Sequence, residues 1–228
     1  MTPPKPPADA PASAPALTID ALGRKCPIPI IMLAERIREV PIGQVVAVLA
    51  DDPAAMIRHS HECRERGYRF AADPSQQLAR MPGEDVLSLI DGADFLLPNE
   101  YEKSLLEQKS GLSDAAVLER VRIRVTTLGK NGVEITGREM ERIHVPVARE
   151  ISAYDPTGVG DGFRAGFFAA LSWGMSLERA AQVGALLATM VLETVGTQEY
   201  ELKPTQLAER LTAAYGPQAA ADIAQHYG

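Results

Sequence analysis

The sequence predicts an α/β protein in which helices cover both faces of a mostly parallel sheet. Short apolar segments of strand length alternate with one-faced helical segments, as expected for such a fold. The segment 45–50 is apolar at every position, which is typical of a strand buried on both faces. The 228 residues are 46% hydrophobic, enough for one full domain or two small ones with buried cores.

Composition and charge exclude several classes of protein. Lys and Arg total 23 against 30 Asp and Glu, so the net charge is −7 and no basic surface is expected to hold nucleic acid or anionic lipid. No apolar stretch is long enough for a membrane helix, and the amino end lacks an apolar signal core. Two cysteines are too few for a disulfide framework. We therefore expect a cytoplasmic protein without nucleic-acid or membrane partners.

The amino-terminal quarter of the chain falls into a tail and a strand–helix–strand segment. Residues 1–16 are rich in proline and alanine, a composition that predicts a disordered tail. Residues 17–20 are extended, and an apolar stripe on 30–37 then predicts a helix. The strand 45–50 follows, and Asp52 with the proline after it predicts the start of a second helix.

The rest of the chain continues the alternation of strands and helices. Strands are predicted at 68–72, 93–97, 121–128, 133–136 and 143–147. Helices are expected between or after them, with three in succession at 161–173, 177–195 and 204–215.

A cysteine stands at the start of the first predicted helix. Cys26 is followed by Pro-Ile-Pro, and prolines fit a first helical turn because its amides need no partner within the helix. A thiol at a positive helix end ionises readily, although a packed, inert cysteine is an equal alternative. Residues 17–52 resemble the first half of the TusA/SirA-like sulfur carriers, and this resemblance implies that Cys26 carries a persulfide.

The second cysteine lies in a segment that also contains two histidines. His59 and Cys63 share a helix face, but no second pair of ligands follows them, so the pattern favours an ordinary helix over a metal site. Cys63 is expected to face the core.

The most informative stretch is the glycine-rich segment 155–162. It lacks the Gly-Lys-Ser/Thr of a Walker A loop, and Phe163 stands where a dinucleotide fingerprint needs its third glycine. Glycines before a helix allow backbone amides to approach an anion closely. Asp161, at the helix start, could accept a proton from an attacking hydroxyl. A plain loop with an acidic helix cap is the alternative.

The segment 155–161 resembles the second signature of the PfkB, or ribokinase-like, kinase family. The resemblance implies a ribokinase-like fold, a catalytic base at Asp161, and an anion hole formed by Gly158, Val159 and Gly160. It also implies ATP as phosphate donor, Mg²⁺, a small-molecule acceptor that is a nucleoside or a sugar, and a monovalent cation as a further ligand. Gly162 replaces the larger residue usual in the family.

Two further stretches resemble the same family in the expected order along the chain. Asn99 and Glu102 match its Asn-x-x-Glu motif, which implies a role in organising Mg²⁺, although the same spacing is an ordinary capping box. Thr127, Gly129 and Gly132 match its nucleotide-side turn, which implies ATP binding, although they also fit a turn before a hairpin.

Weaker similarities favour adenosine as the acceptor. Residues 73–77 and 193–200 look most like the bacterial adenosine-kinase-like branch, with the second stretch near the adenine or a monovalent cation. Nothing in 1–52 resembles the family's amino-terminal half, which supplies most of the acceptor pocket and the lid. We therefore expect a ribokinase-like fold truncated on that side, divided into 1–16, 17–52 and a nucleotide-binding portion at 53–228.

Three functions stay open at this point. The first is an ATP-dependent kinase that binds ATP but phosphorylates adenosine weakly or not at all as an isolated chain. The second is a sulfur-transfer protein that uses Cys26. The third is a non-catalytic nucleotide-binding module. The sequence leaves open whether the protein is a monomer or a homodimer.

Overall fold

The computed structural model describes residues 17–20, 24, 28–40, 46–49, 55–67, 69–224 and 226. The chain divides into two compact units, 1–68 and 69–228. The predicted tail at 1–16 and the predicted helix cap at Asp52 lie outside the described residues.

The described residues of the first unit form two strands and two α-helices. Strand β1 (Leu17–Asp20) pairs in parallel with β2 (Val46–Leu49), so that Leu17 lies opposite Val46. Helix α1 (Ile28–Arg36) connects them, as a parallel pair requires a crossover, and α2 (Ala55–Arg66) follows. The strand, helix and strand predicted between residues 17 and 50 are therefore present.

The second unit is built on a five-stranded sheet with the order β3-β4-β5-β6-β7. The strands are β3 (Ala71–Ala72), β4 (Phe95–Leu96), β5 (Ile123–Thr127), β6 (Val133–Gly137) and β7 (Ile143–Val145). Strands β3, β4 and β5 run parallel, whereas β6 and β7 are antiparallel to their neighbours. Among the described strands of the whole chain, three of five pairings are parallel.

Seven α-helices are described in this second unit. They are α3 (Gly83–Ile90), α4 (Glu100–Ser110), α5 (Asp114–Leu118), α6 (Val159–Ser172), α7 (Leu177–Leu192), α8 (Pro204–Tyr215) and α9 (Pro217–Ala224). The range predicted for α8 agrees with the structure. Helix α6 begins two residues earlier than predicted because Gly158 caps it, and α7 ends three residues earlier.

Helices lie on both faces of the sheet. On one face Phe95, Ile123 and Val125 pack with α6, α7 and α8, and the ring of Phe95 meets that of Phe167 edge to face at 5.8 Å. The other face carries Leu96 and Arg124, both buried, and α4 packs against β5 there. The predicted α/β fold class is confirmed.

The parallel strands end at one edge of the sheet. Asp73 follows β3, Asn99 lies three residues after β4, and Thr127 closes β5. Loops that follow parallel strands converge at this edge, which is where α/β sheets place their ligands. This edge positions the candidate site.

Candidate active site

Three sequence motifs that are far apart along the chain line one cavity of about 440 Å³. Its predicted members are Asn99, Thr127, Gly129, Gly132, Val159 and Gly160. The sheet brings them together because Asn99 and Thr127 form a single parallel bridge where β4 and β5 end. The Thr127 amide also donates to the Pro98 carbonyl at 3.1 Å.

Helix α6 begins with free amides. The Val159 amide donates to the Pro156 carbonyl at 3.3 Å, and the Gly162 amide donates to the Gly158 carbonyl at 2.8 Å. The amides of Gly160 and Asp161 donate to no acceptor in the described part of the chain. A helix start with unused amides attracts anions. The Asp161 amide is thus an additional donor that the sequence motif did not indicate.

Gly158 allows the sharp turn into this helix. Its φ of +80° lies in the left-handed region. A Cβ at this position would lie 2.8 Å from Cγ2 of Thr197, in the segment that follows α7. Both the backbone angle and the space therefore require glycine.

Asp155 fixes the loop in front of α6. Its Oδ1 accepts the Thr157 amide at 2.9 Å. Hydrogen bonds from the Thr157 side chain and amide, together with one from the Gly196 backbone, hold the pKa of Asp155 below its usual range. Asp155 therefore shapes the glycine-rich turn as an ionised carboxylate.

The carboxylate of Asp161 points into open space. Its side chain is 91% exposed and accepts no hydrogen bond among the described residues. The nearest cation is Arg164, whose Nη1 lies 4.0 Å from Oδ1 of Asp161. An incoming hydroxyl group can therefore reach this carboxylate without displacing a protein partner.

Sequence reasoning missed Arg164 and Asp73. Arg164 binds the Asp73 carboxylate through Nε and through Nη2, the latter at 2.9 Å from Oδ1. Burial raises the pKa of Asp73 above its usual value, and the charge of Asp161 adds to this, while Arg164 opposes it. Arg164 stands three residues after Asp161, a spacing that places two side chains on one helix face.

Asn99 and Glu102 form a capping box at the start of α4. Oδ1 of Asn99 accepts the Glu102 amide at 2.7 Å, and Oε2 of Glu102 accepts the Asn99 amide at 2.9 Å. The motif therefore forms the ordinary capping box that the spacing also predicts, besides the role in organising Mg²⁺ that the resemblance implies. Glu102 is only 7% exposed, and its Oε1 makes no hydrogen bond to a described residue.

Residues of the turn between β5 and β6 line part of the cavity wall. Gly132 has a φ of +88°, and a Cβ there would overlap the carbonyl oxygen of Val145. The Leu128 amide donates to the Gly132 carbonyl at 2.8 Å, which closes the turn. The predicted hairpin is confirmed, and Gly129, where a Cβ would meet no other atom within 4 Å, leaves room for a ligand close to the backbone.

A partly buried ion pair holds the segment 149–151, next to the cavity residue Glu150. Arg210 of α8 binds both carboxylate oxygens of Glu193, at 2.6 and 2.7 Å. Oε1 of Glu193 also accepts the Ile151 amide at 2.7 Å, and Nη2 of Arg210 donates to the Arg149 carbonyl at 3.2 Å. This pair fixes the segment that leads into the glycine-rich turn.

The two cysteines are the remaining sequence candidates. Cys26 lies outside the described residues. Cys63 is a free, half-buried thiol of α2. In the described ranges no three His, Cys, Asp or Glu side chains come together as a metal site. Those same ranges contain no helix with the length and apolar character to cross a membrane.

The fold and the glycine-rich helix start define a ribokinase-like α/β protein. The family model "pfkB family carbohydrate kinase" matches residues 35–204, and the chain belongs to this family. The match includes all three motifs at the cavity.

Nucleoside kinases are among the relatives. The chain is 31% identical over 161 residues to a nucleoside kinase of Methanocaldococcus jannaschii, covering 68% of this chain and 51% of that protein. The crystal structure of that kinase superposes with a TM-score of 0.66 at 28% identity, covering 79% of this chain and 61% of the other. A Burkholderia thailandensis nucleoside kinase in complex with inosine has a TM-score of 0.70 at 22% identity, covering 87% and 80%. The chain spans about half the length of the curated relatives it matches.

Proposed function

We propose that this chain is the ATP-binding and catalytic portion of a nucleoside kinase. One observation carries the proposal: free amides at the start of α6 and the exposed Asp161 carboxylate stand beside a cavity that the other two motifs also line. Family membership and the nucleoside kinases among its relatives support it.

In this proposal the helix start binds the phosphoryl group and Asp161 is the general base. The backbone at Gly158, Val159 and Gly160 forms the anion hole, and the free amides of Gly160 and Asp161 stabilise negative charge on the phosphoryl oxygens. The acceptor hydroxyl gives its proton to Asp161, and its oxygen attacks the γ-phosphorus of ATP. The bond from the γ-phosphorus to the β-bridging oxygen breaks, and ADP leaves with those electrons.

The cavity fits a nucleotide in size and chemistry. Pockets of roughly 300–1,000 Å³ with apolar walls and a few polar groups are typical of small-molecule sites. Thr127, Gly129 and Gly132 line one wall, and a Cβ at Gly129 would meet no other atom within 4 Å, which leaves room for a ligand there. Apolar side chains from β6, the segment after β7 and α7 form much of the rest: Val133, Val147, Ala185, Ala188 and Leu192.

The residues present fit a magnesium ion held mainly by phosphate and water. Mg²⁺ in such sites keeps several waters and takes few protein ligands, which agrees with the solvent-exposed position of Asn99 in the cavity wall. Asn99 and Glu102 would order those waters without direct coordination. When bound, Mg²⁺ neutralises charge on the phosphates.

A monovalent cation is proposed near residues 193–200, where the Gly196 backbone forms a hydrogen bond with Asp155.

The acceptor in this proposal is a nucleoside, with adenosine favoured. The resemblance of 73–77 and 193–200 to the adenosine-kinase-like branch supports adenosine over a sugar. The Burkholderia thailandensis kinase of the same fold was crystallised with inosine, so purine nucleosides are the first acceptors to test.

The test is transfer of labelled γ-phosphate from ATP to a panel of nucleosides and sugars. We expect the unmodified chain to form labelled nucleoside monophosphate only slowly, and Asp161→Asn should lower that rate by roughly 10²–10⁴-fold with ATP affinity preserved. The control Asp222→Asn, on α9, should leave the rate unchanged. An equal rate in Asp161→Asn would overturn the role of the base. ATP binding without transfer to any acceptor would favour the non-catalytic nucleotide-binding module.

A further inference from the structure

The guanidinium of Arg164 is fixed by two elements besides its own helix. It binds Asp73 after β3, and its Nη2 also donates to the Leu97 carbonyl after β4 at 3.2 Å. The side chain is only 20% exposed. Arg164 thus joins the start of α6 to the ends of two parallel strands, and a planar guanidinium bound at several points has little freedom to move.

The third nitrogen of this guanidinium lies against the proposed phosphate site. A Cβ at Gly160 would be 2.6 Å from Nη1 of Arg164, so Nη1 occupies the space that any side chain at position 160 would need. Nη1 makes no hydrogen bond to the described residues and lies 4.0 Å from Oδ1 of Asp161. The absence of a side chain at position 160 therefore leaves room for the guanidinium of Arg164 as well as for the ligand.

A carboxylate is an unfavourable neighbour for a phosphate. Asp161 stands in the first turn of α6, where the proposed function also places the γ-phosphate, and two anions within a few ångströms repel each other. A fixed cation next to both of them lowers this repulsion. Among the described residues, Arg164 is the cation paired with Asp161, and Asp73 binds the side of the guanidinium away from Nη1.

We propose that Arg164 is a positioning residue whose guanidinium, tethered by Asp73 and the Leu97 carbonyl, is the counter-charge that lets the Asp161 carboxylate and a phosphate share one helix end. The inference rests on the proposed function, because it needs the phosphate to bind there. It adds a charged unit, Asp73–Arg164–Asp161, that lies outside the glycine-rich motif.

Calorimetric titration of the full chain with MgATP and with MgADP tests the inference without requiring turnover. Arg164→Gln should weaken ATP binding at least 10-fold and ADP binding less, because the terminal phosphate is the group closest to Asp161. The double variant Arg164→Gln/Asp161→Asn should bind ATP within about threefold of the unmodified chain, because the repelling carboxylate is gone. Arg164→Lys, which keeps the charge, should recover most of the affinity.

A purely structural role for Arg164 predicts different results. In that case the double variant and Arg164→Lys would bind ATP as weakly as Arg164→Gln, which would overturn the inference. Arg179→Gln is the matched control, since Arg179 is 22% exposed and paired with Asp222 at 2.8 Å, and it should leave ATP affinity unchanged. If the unmodified chain binds no ATP, the proposed function itself fails. If the unmodified chain binds ATP and Arg164→Gln binds it with the same affinity, the proposed role of Arg164 as counter-charge is wrong, but the proposed function is not.

Discussion

Gly158 and Thr197 lie so close that no side chain fits between them. A Cβ on Gly158 would be 2.8 Å from Cγ2 of Thr197 and 3.0 Å from its Cβ. This contact joins the glycine-rich turn before α6 to the segment after α7. The position of the free amides at the start of α6 therefore depends on two distant parts of the chain.

Gly158→Ala should destabilise the fold and weaken ATP binding together. The left-handed backbone costs a non-glycine residue about 1–2 kcal/mol, and the contact with Thr197 adds to this. Gly174→Ala is the matched control, because Gly174 has a φ of +79° but open space around its Cα. Urea unfolding and ATP titration should show a smaller stability loss and unchanged ATP affinity in the control. Equal effects of the two variants on ATP affinity would contradict the assignment of this turn.

Variants of the helix caps test whether Asn99 only caps α4 or also contributes to ligand binding. Asn99→Ala should cost about 1 kcal/mol of unfolding free energy, the usual value for a lost N-cap. Ser113→Ala removes the cap of α5, where the Ser113 oxygen accepts the Ala116 amide at 3.3 Å, away from the cavity. Both should lower stability, but only Asn99→Ala should weaken MgATP binding in calorimetry.

Glu102→Gln tests the proposed link to Mg²⁺ more narrowly. Glutamine retains an oxygen that can accept the Asn99 amide, so the helix cap and the stability should be preserved. The negative charge is lost, and the gain in ATP affinity on adding Mg²⁺ should shrink several-fold. An unchanged Mg²⁺ dependence would show that Glu102 acts only as a cap.

Stability should fall in acid as Asp114 is protonated. Burial would raise its pKa, but hydrogen bonds and charge from Lys103 and Arg124 lower it to about 2 from 3.8. A carboxyl whose folded pKa is lowered stabilises the fold above its unfolded pKa, and this stabilisation is lost as the pH falls from about 4 to about 2. Because the side chain is 48% exposed, we expect a contribution of about 1 kcal/mol after allowance for solvent screening.

Asp114→Asn should remove this acid dependence and reduce stability at neutral pH. Arg124 is only 2% exposed, and the substitution leaves its charge without the carboxylate that it binds at 2.9 Å. Glu119→Gln, which breaks an exposed pair with Arg138, is the control and should change stability little. Urea unfolding at pH 2 to 7 measures both. If Asp114→Asn keeps the full pH dependence, another carboxyl group is responsible.

Much of the fold followed from the sequence because apolar periodicity and glycine positions are local signals. The hairpin at Gly129–Gly132 and the glycine-rich turn before α6 are predicted from residues that a turn requires, although α6 begins two residues before the predicted start at Asp161. The gathering of Asn99, Thr127 and Gly160 at one cavity was expected from family resemblance, since spacing alone cannot bring distant loops together. The sequence does not predict bounds for the short helices α3, α5 and α9, because so few residues give only a weak apolar periodicity.

The charged unit around Asp161 could not be predicted from the sequence. Asp73 and Arg164 are 91 residues apart, and nothing in either segment indicates that they meet. Their pairing depends on the parallel order of β3 and β4 and on the angle at which α6 leaves the glycine-rich turn. The exposed state of the Asp161 side chain likewise follows only from three-dimensional packing.

Isothermal titration of the folded chain with ATP and Mg²⁺ probes the nucleotide cavity itself, before any question of acceptor or turnover arises. We predict saturable binding with a dissociation constant in the millimolar range or tighter, weakened by Gly158→Ala and unaffected by Gly174→Ala. A folded chain that gives no binding heat at millimolar ATP would contradict the assignment of the α6 amino end as a phosphate site.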